Sequence, residues 1–142
     1  MTDILLQVGV KILLKNSDGK FLLLRRSLEK YPEIKGRWDI VGGRIDPGIA
    51  LKENLIREID EETGLTLVGE PTLIAAQDIL RSAGRHVVRL TFVGVARGDI
   101  LLDTSENDMF QWHTATEIRN HPDLDMYVRE LLDNGTLQLP EA

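Results

Sequence analysis

An α/β fold, a mixed β-sheet with helices packed on it, is what the sequence predicts, on three observations. Short runs of alternating apolar residues return through polar turns, as strands do. One long helical stretch, free of Gly and Pro, sits mid-chain and runs into Gly64. A second helical stretch follows the last strand. Hairpins rather than regular βαβ units join the strands, so the sheet is expected to be mixed.

Gln7 to Lys15 reads as a strand, with Val8, Val10, Ile12 and Leu14 alternating against neighbours of higher polarity. Asn16-Ser17-Asp18-Gly19 is turn chemistry, and Phe21-Leu22-Leu23-Leu24 returns as the second arm of a hairpin. Arg25 to Gly36 is a charged loop broken by Pro32, after which Trp38-Asp39-Ile40-Val41 forms a short strand running into Gly42-Gly43. Pro47-Gly48 marks a turn, and Ala50 to Thr63 is the helix, with Gly64 as its C-terminal stop. Leu65 to Leu80 is strand-rich with an interruption at Pro71; Arg81 to Arg85 turns, and Val87 to Ala96 is a further strand. Asp99 to Met109 reads as a polar loop and Phe110-Gln111-Trp112 as a brief strand. Thr114 or Thr116 caps a short helix ending before Pro122, and Asp123 to Asn134 is the terminal helix. No repeat, low-complexity tract or linker divides the chain, so residues 1–142 are expected to form one domain.

Bulk composition narrows the function classes. Of 142 residues, 42% are hydrophobic and 28% charged, too apolar for disorder. No apolar run approaches the roughly 20 residues of a membrane span. The Met-Thr-Asp opening lacks a basic n-region, so no signal peptide is expected, and no membrane partner. The absence of cysteine rules out disulfides and thiolate metal sites and fits a cytoplasmic protein. A formal net charge of −6 argues against a stable nucleic-acid partner. A polyanionic substrate would need recruited positive charge, which a divalent cation supplies.

The helix carries Glu53, Arg57, Glu58, Asp60, Glu61 and Glu62. An ordinary acidic helix turns such residues to solvent, laced with ion pairs. Geometry opposes that here. At about 100° per residue, Glu62 falls about 40° from Glu58, within the arc set by Leu51, Leu55 and Ile59. Both carboxylates are therefore carried towards the protein body, where unpaired charge is costly. Hard divalent cations take oxygen ligands, and Mg²⁺ is commonly held by one or two carboxylates plus substrate phosphates. Arg57 can pair with Glu53 or Glu61 one turn away and hold a carboxylate orientation. Gly42-Gly43 and Gly48 flank Arg44-Ile45-Asp46-Pro47 just before the helix, where glycine allows close backbone approach and a carbonyl can serve as a ligand.

Gly43 to Gly48 followed by Arg57-Glu58-Ile59-Asp60-Glu61-Glu62-Thr63-Gly64-Leu65 resembles the Nudix box: Gly, five residues, Glu, seven residues, then Arg-Glu-aliphatic-x-Glu-Glu-x-Gly-aliphatic. Trp38-Asp39 before the glycine pair, the N-terminal hairpin ending in Leu24-Arg25-Arg26, and a late Trp112 strand are similar to the family too. The resemblance implies an α/β/α sandwich with a mixed sheet. It implies Glu58, Glu61 and Glu62 as metal ligands, directly or through water, the Gly43 carbonyl as a further ligand, and Arg57 orienting a catalytic carboxylate. The implied reaction is Mg²⁺- or Mn²⁺-dependent hydrolysis of a nucleoside diphosphate linked to another moiety: ADP-ribose-like, a dinucleoside polyphosphate or a modified nucleoside triphosphate. Phosphoryl transfer needs charge neutralisation and a positioned water more than covalent chemistry, which suits a chain without an evident nucleophile–base pair. Some members draw the base from a later loop; Glu106 is the first candidate here, with Asp103 and Asp108 as alternatives.

One box position departs. Ile49 stands where the family has its first Glu, and an apolar side chain can neither ligate metal nor pair with arginine. Asp46 does not restore the spacing, whereas Glu53, one turn before Arg57, offers compensation. Ile49 also keeps open a second reading, a catalytically silent nucleotide-binding or regulatory module. Val41 replaces the proline common in relatives. Trp38 could stack a base or pack under the loop; Arg44 is the basic residue expected to meet phosphate, and Arg81, Arg85 and Arg89 are further candidates. His86 and His113 lack metal-ligand spacing and are expected to be structural. A calcium-binding helix is disfavoured by the absence of EF-hand spacing. Substrate identity is not readable, and a homodimer is left open.

Overall fold

Alternation along the strands builds two cores, one on each face of a single sheet. The computed structural model describes residues 3–32 and 34–140; Met1 and Thr2, part of the N-terminal opening read above, lie outside them. Its elements are β1 (Leu5–Lys15), β2 (Phe21–Arg26), β3 (Trp38–Asp39), β4 (Val41–Arg44), α1 (Leu51–Thr63), β5 (Thr66–Ile79), β6 (Arg85–Arg97), β7 (Asn107–His113), α2 (Ala115–Arg119) and α3 (Met126–Asp133). Val10, Ile12, Leu14, Leu22, Leu24 and Phe92 face α1 and pack with its Leu55 and Ile59. Their neighbours Leu13, Phe21, Leu23 and Val93 face the other way and pack with Ile118 of α2 and Val128 and Leu131 of α3. The period of two thus delivers the layering α1, sheet, α2 with α3.

Among the described residues the sheet has seven strands, with β3-β2-β1-β6-β5 as its main path, β4 paired to β1 and β7 to β2. β1 and β6 run parallel from Leu5↔Arg85 to Lys15↔Val95, and the other pairings are antiparallel, so the sheet is mixed as expected. The expected N-terminal hairpin is paired at its turn, Lys15↔Phe21, and then opens. β4 takes the place beside β1, from Gly9↔Arg44 to Ile12↔Val41, while β2 pairs with β3 and β7. This split sets the glycine strand β4 against the middle of β1, beneath α1. The Pro71 interruption is a register shift between Val68 and Thr72 inside a continuous β5.

Two of the expected boundaries shift. The polar loop read over Asp99–Met109 ends early, because β7 starts at Asn107; Asp108 is tied there by Arg25 Nε, 2.6 Å away on the neighbouring strand. The terminal helix starts at Met126, where Asp125 accepts from the backbone N–H groups of Tyr127 and Val128 at 3.0 and 3.1 Å. Residues 123–125 are held extended by Trp38, whose N–H donates to Asp123 O at 3.0 Å and whose carbonyl accepts from Asp125 N at 2.8 Å. Of the two cap candidates, Thr114 is the N-cap of α2, in a reciprocal box with Glu117. No helix among the described residues is long and apolar enough to cross a membrane.

A buried ion cluster ties these strands together. Asp39 of β3 contacts Lys11 of β1 at 3.1 Å, Arg26 of β2 at 3.0 Å and Arg89 of β6 at 3.1 Å. Arg89 also reaches Asp125, the cap of α3, at 3.2 Å. Burial alone would push the Asp39 carboxyl up, but Arg89, Lys11 and Arg26 outweigh it and hold it well below the usual carboxylate range.

A carboxyl depressed in the folded state contributes stability above its unfolded pKa, about 3.9, and loses it as pH falls further. Asp39→Asn should cost about 3–5 kcal/mol in chemical denaturation at pH 7, because three cations lose their buried partner. The same substitution should flatten the decline in stability below about pH 4. Equal acid profiles for the two proteins would show that Asp39 does not carry this linkage.

Candidate functional site

Two glycines let the acidic helix close on the sheet. Gly42 has φ +140°, and a Cβ there would lie 2.0 Å from Val10 O, so only glycine permits this approach of β4 to β1. Its N–H donates to Glu62 Oε2 at 2.8 Å and its carbonyl accepts from Lys11 Nζ at 3.3 Å. At Gly43 a Cβ would sit 3.0 Å from both carboxylate oxygens of Glu58, so the missing side chain is the space that Glu58 occupies.

The local cause is the apolar face of α1. Burying Leu55 and Ile59 fixes the helix rotation and carries Glu58 and Glu62 onto β4. The Glu58 side chain is only 12% exposed, whereas that of Glu61 is 56% exposed. Burial raises the Glu58 pKa, with Arg57 opposing and Glu61 adding to the shift. Burial pushes Glu62 further, up to about 7; Lys11 and the Gly42 N–H oppose this, while Glu58 adds to it. The like charges are thus held together at a cost.

Arg57 is the hub beside them. Its Nη1 donates to Glu58 Oε1 at 3.1 Å and to Glu61 Oε2 at 3.2 Å. Its Nη2 donates to Asn54 Oδ1 at 3.0 Å and to Arg44 O at 3.3 Å, and Asp46 Oδ2 lies 3.2 Å from Nε. Glu53, expected to compensate for Ile49, is exposed and is not among these partners. Ile49 is itself 42% exposed.

A cavity of about 330 Å³ opens beside this end of the helix, lined by Gly42, Gly43, Arg44 and Glu62 on one side. Lys11, Arg26, Arg81 and Arg89 line it as well. Burial, then Arg85, Arg26 and Arg81, lower the pKa of Arg44, a sign of crowded positive charge. Arg44 and Arg81 both line the cavity, although Arg44 Nη1 is also engaged by Gln7 Oε1 at 2.8 Å.

Glu106 lines the same cavity, paired with Lys30 and accepting from Tyr31 Oη at 2.9 Å. The Lys30 bond comes first among the causes that lower its pKa. Asp103 is bound to Ser105 and Asp108 to Arg25, and neither lines the cavity. Trp38 does not line it either: it packs edge-on against His113, with centroids 5.9 Å apart, and against His121. Of the two roles left open for Trp38, these contacts are those of packing, and its backbone is bonded to residues 123–125 on the α3 face.

The donors suit a hard divalent cation: half-buried carboxylate oxygens beside a glycine backbone, with no sulfur or imidazole. Among the described residues no three acidic or histidine side chains converge on one point, since Glu58 is held by Arg57 and Glu62 by the Gly42 N–H. Sequence reasoning missed Asn54, which is fully buried, and the Asp39 cluster. Helical position placed Asn54 one turn before Glu58; its four-way bonding has no sequence signature.

Several known proteins are similar to this chain. A CTP pyrophosphohydrolase of Escherichia coli (strain K12) is 27% identical over 106 residues, 74% of each chain. The uncharacterized Nudix hydrolase YvcI of Bacillus subtilis (strain 168) is 30% identical over 110 residues, 75% of this chain but 65% of that protein, under two thirds of its length. The crystal structure of a MutT protein from Methanosarcina mazei Go1 superposes with a TM-score of 0.76 at 28% identity, covering 94% of this chain and 95% of that one. The family model described as NUDIX domain matches residues 5–134, and the chain belongs to the Nudix family.

Proposed function

We propose that this protein hydrolyses a phosphoanhydride bond in a nucleoside diphosphate derivative, with Mg²⁺ or Mn²⁺ as cofactor. The observation that carries the reading is the pair of half-buried carboxylates, Glu58 and Glu62, seated on Gly42-Gly43 at the edge of a cation-rich cavity. Glu58, Glu61, Glu62 and the Gly43 carbonyl are the ligand set, Glu61 being its exposed carboxylate. The bound cation supplies charge neutralisation of the pyrophosphate and acidifies a coordinated water.

The chain's own groups do the rest. Arg57 holds Glu58 and Glu61 in fixed orientation through two charged hydrogen bonds. Arg44 and Arg81, crowded among like charges, gain by meeting phosphate oxygens, so that a protein of net charge −6 can still draw in a polyanion. Glu106 faces the same cavity and orients the attacking water; its bonds to Lys30 and Tyr31 make it a weak proton acceptor. Substrates of the kind named in a relative, a nucleoside triphosphate such as CTP, fall within this class.

A panel of nucleoside triphosphates, oxidised nucleotides, dinucleoside polyphosphates and ADP-ribose, incubated with Mg²⁺, should show metal-dependent release of phosphate, pyrophosphate or mononucleotide. Nucleotide binding without turnover across the panel would favour the silent module instead. Glu62→Gln should lower kcat at least about 100-fold, more than the loss of an outer-shell partner. It should also remove the rise in Tm that Mn²⁺ gives the native protein. Glu106→Gln should cost less than about 10-fold, and a larger loss would make Glu106 the obligatory base.

A further inference from the structure

Ile49 leaves Arg57 without the carboxylate that the box pattern supplies, yet Arg57 is not loose. We infer that Asp46 and Asn54 together position Arg57, taking over from the glutamate that this chain lacks. The consequence for turnover rests on the proposed hydrolase activity; the positioning itself does not.

Asn54 is fully buried and uses every bonding capacity of its amide. Its Nδ2 donates to Ile49 O at 2.9 Å and to Ala50 O at 3.0 Å, tying down the entry to α1, where Ala50 offers no side-chain cap. Its Oδ1 accepts from Asp46 N at 2.9 Å and from Arg57 Nη2 at 3.0 Å. One side chain therefore links the loop, the helix entry and the guanidinium. By fixing the Asp46 backbone it also sets where the Asp46 carboxylate lies, and Oδ2 stands 3.2 Å from Arg57 Nε. That contact is an ion pair without an aligned hydrogen bond, since Nε is buried and has no hydrogen-bond partner. Asp46 therefore supplies opposing charge and Asn54 supplies direction. The other face of the guanidinium is left to Glu58 and Glu61.

Glu53 is the control. It lies on the same helix one turn before Arg57 yet is exposed and is not among its hydrogen-bond or ion-pair partners.

The test combines kinetics with ¹⁵N relaxation of the Arg57 Nε–Hε group, assigned by loss of its signal in Arg57→Lys. Asp46→Asn should lower kcat about 10-fold with KM changed by less than about twofold, as outer-shell substitutions do. Because Asp46 is exposed, Tm should stay the same while the Arg57 signal shows increased motion. Asp46→Glu should recover most of the rate. Asn54→Leu should loosen Arg57 further and lower Tm; Asn54→Asp, which keeps the acceptor, should loosen it less. Glu53→Gln should leave rate and relaxation at native values. Native kcat and native Arg57 relaxation in Asp46→Asn would overturn the inference, even if Asn54→Leu fails to fold. If the native protein turns over no substrate, the hydrolase reading fails, while the relaxation data still decide whether Asp46 and Asn54 hold Arg57.

Discussion

Two carboxyl groups pressed against the backbone of one short strand are the constraint around which the rest of the site is arranged. Glu58 and Glu62 stand one turn apart on α1, on the side that also buries Leu55 and Ile59. Turning the helix to expose them would expose the apolar pair, at about 1.5–3 kcal/mol for each side chain. The helix therefore accepts desolvated carboxylates, which is why their pKa values rise. The Gly42 N–H, Lys11 and Arg57 offset part of that cost. A divalent cation would offset much more of it, so a stability defect in the isolated chain becomes binding affinity.

The opposite wall of the cavity obeys the reverse logic. Asp39 is enclosed by Lys11, Arg26 and Arg89, and through Arg89 it reaches the cap of α3. This cluster ties four strands to the cap of α3 and leaves positive charge at the cavity margin. Lys11 belongs to both walls, pairing with Asp39 and donating to the Gly42 carbonyl. Acidic helix and basic margin are thus mechanically joined through β1 and β4. A cation and a polyanion fit that arrangement together better than either fits alone.

Much of this was legible in the sequence where one periodicity decides the outcome. Alternation assigned the strands, and the helical angle placed Glu58 and Glu62 beside the apolar stripe before any coordinates. What was not legible depends on contacts between distant segments. Leu51 was placed in the buried stripe, yet it is 38% exposed, and Asn54 and Thr63 are buried with Leu55 and Ile59 instead. Asp46 looked mis-spaced because spacing along the chain ignores the turn that folds the loop back onto Arg57. Trp38 is turned away from the cavity by a pairing with residues far later in the chain. Glu106 lines the cavity, but its bonds to Lys30 and Tyr31 join loops that no local pattern connects.

The central claim is that the Glu58–Glu62 end of α1, seated on Gly42-Gly43, is a divalent-cation site. Titration of ¹⁵N-labelled protein with Mn²⁺ tests it directly, because paramagnetic broadening falls off steeply with distance. Broadening should begin at the amides of Gly42, Gly43, Glu58, Glu61 and Glu62 and be absent there in Glu62→Gln. Broadening centred elsewhere, or equal in the native protein and Glu62→Gln, would contradict the account.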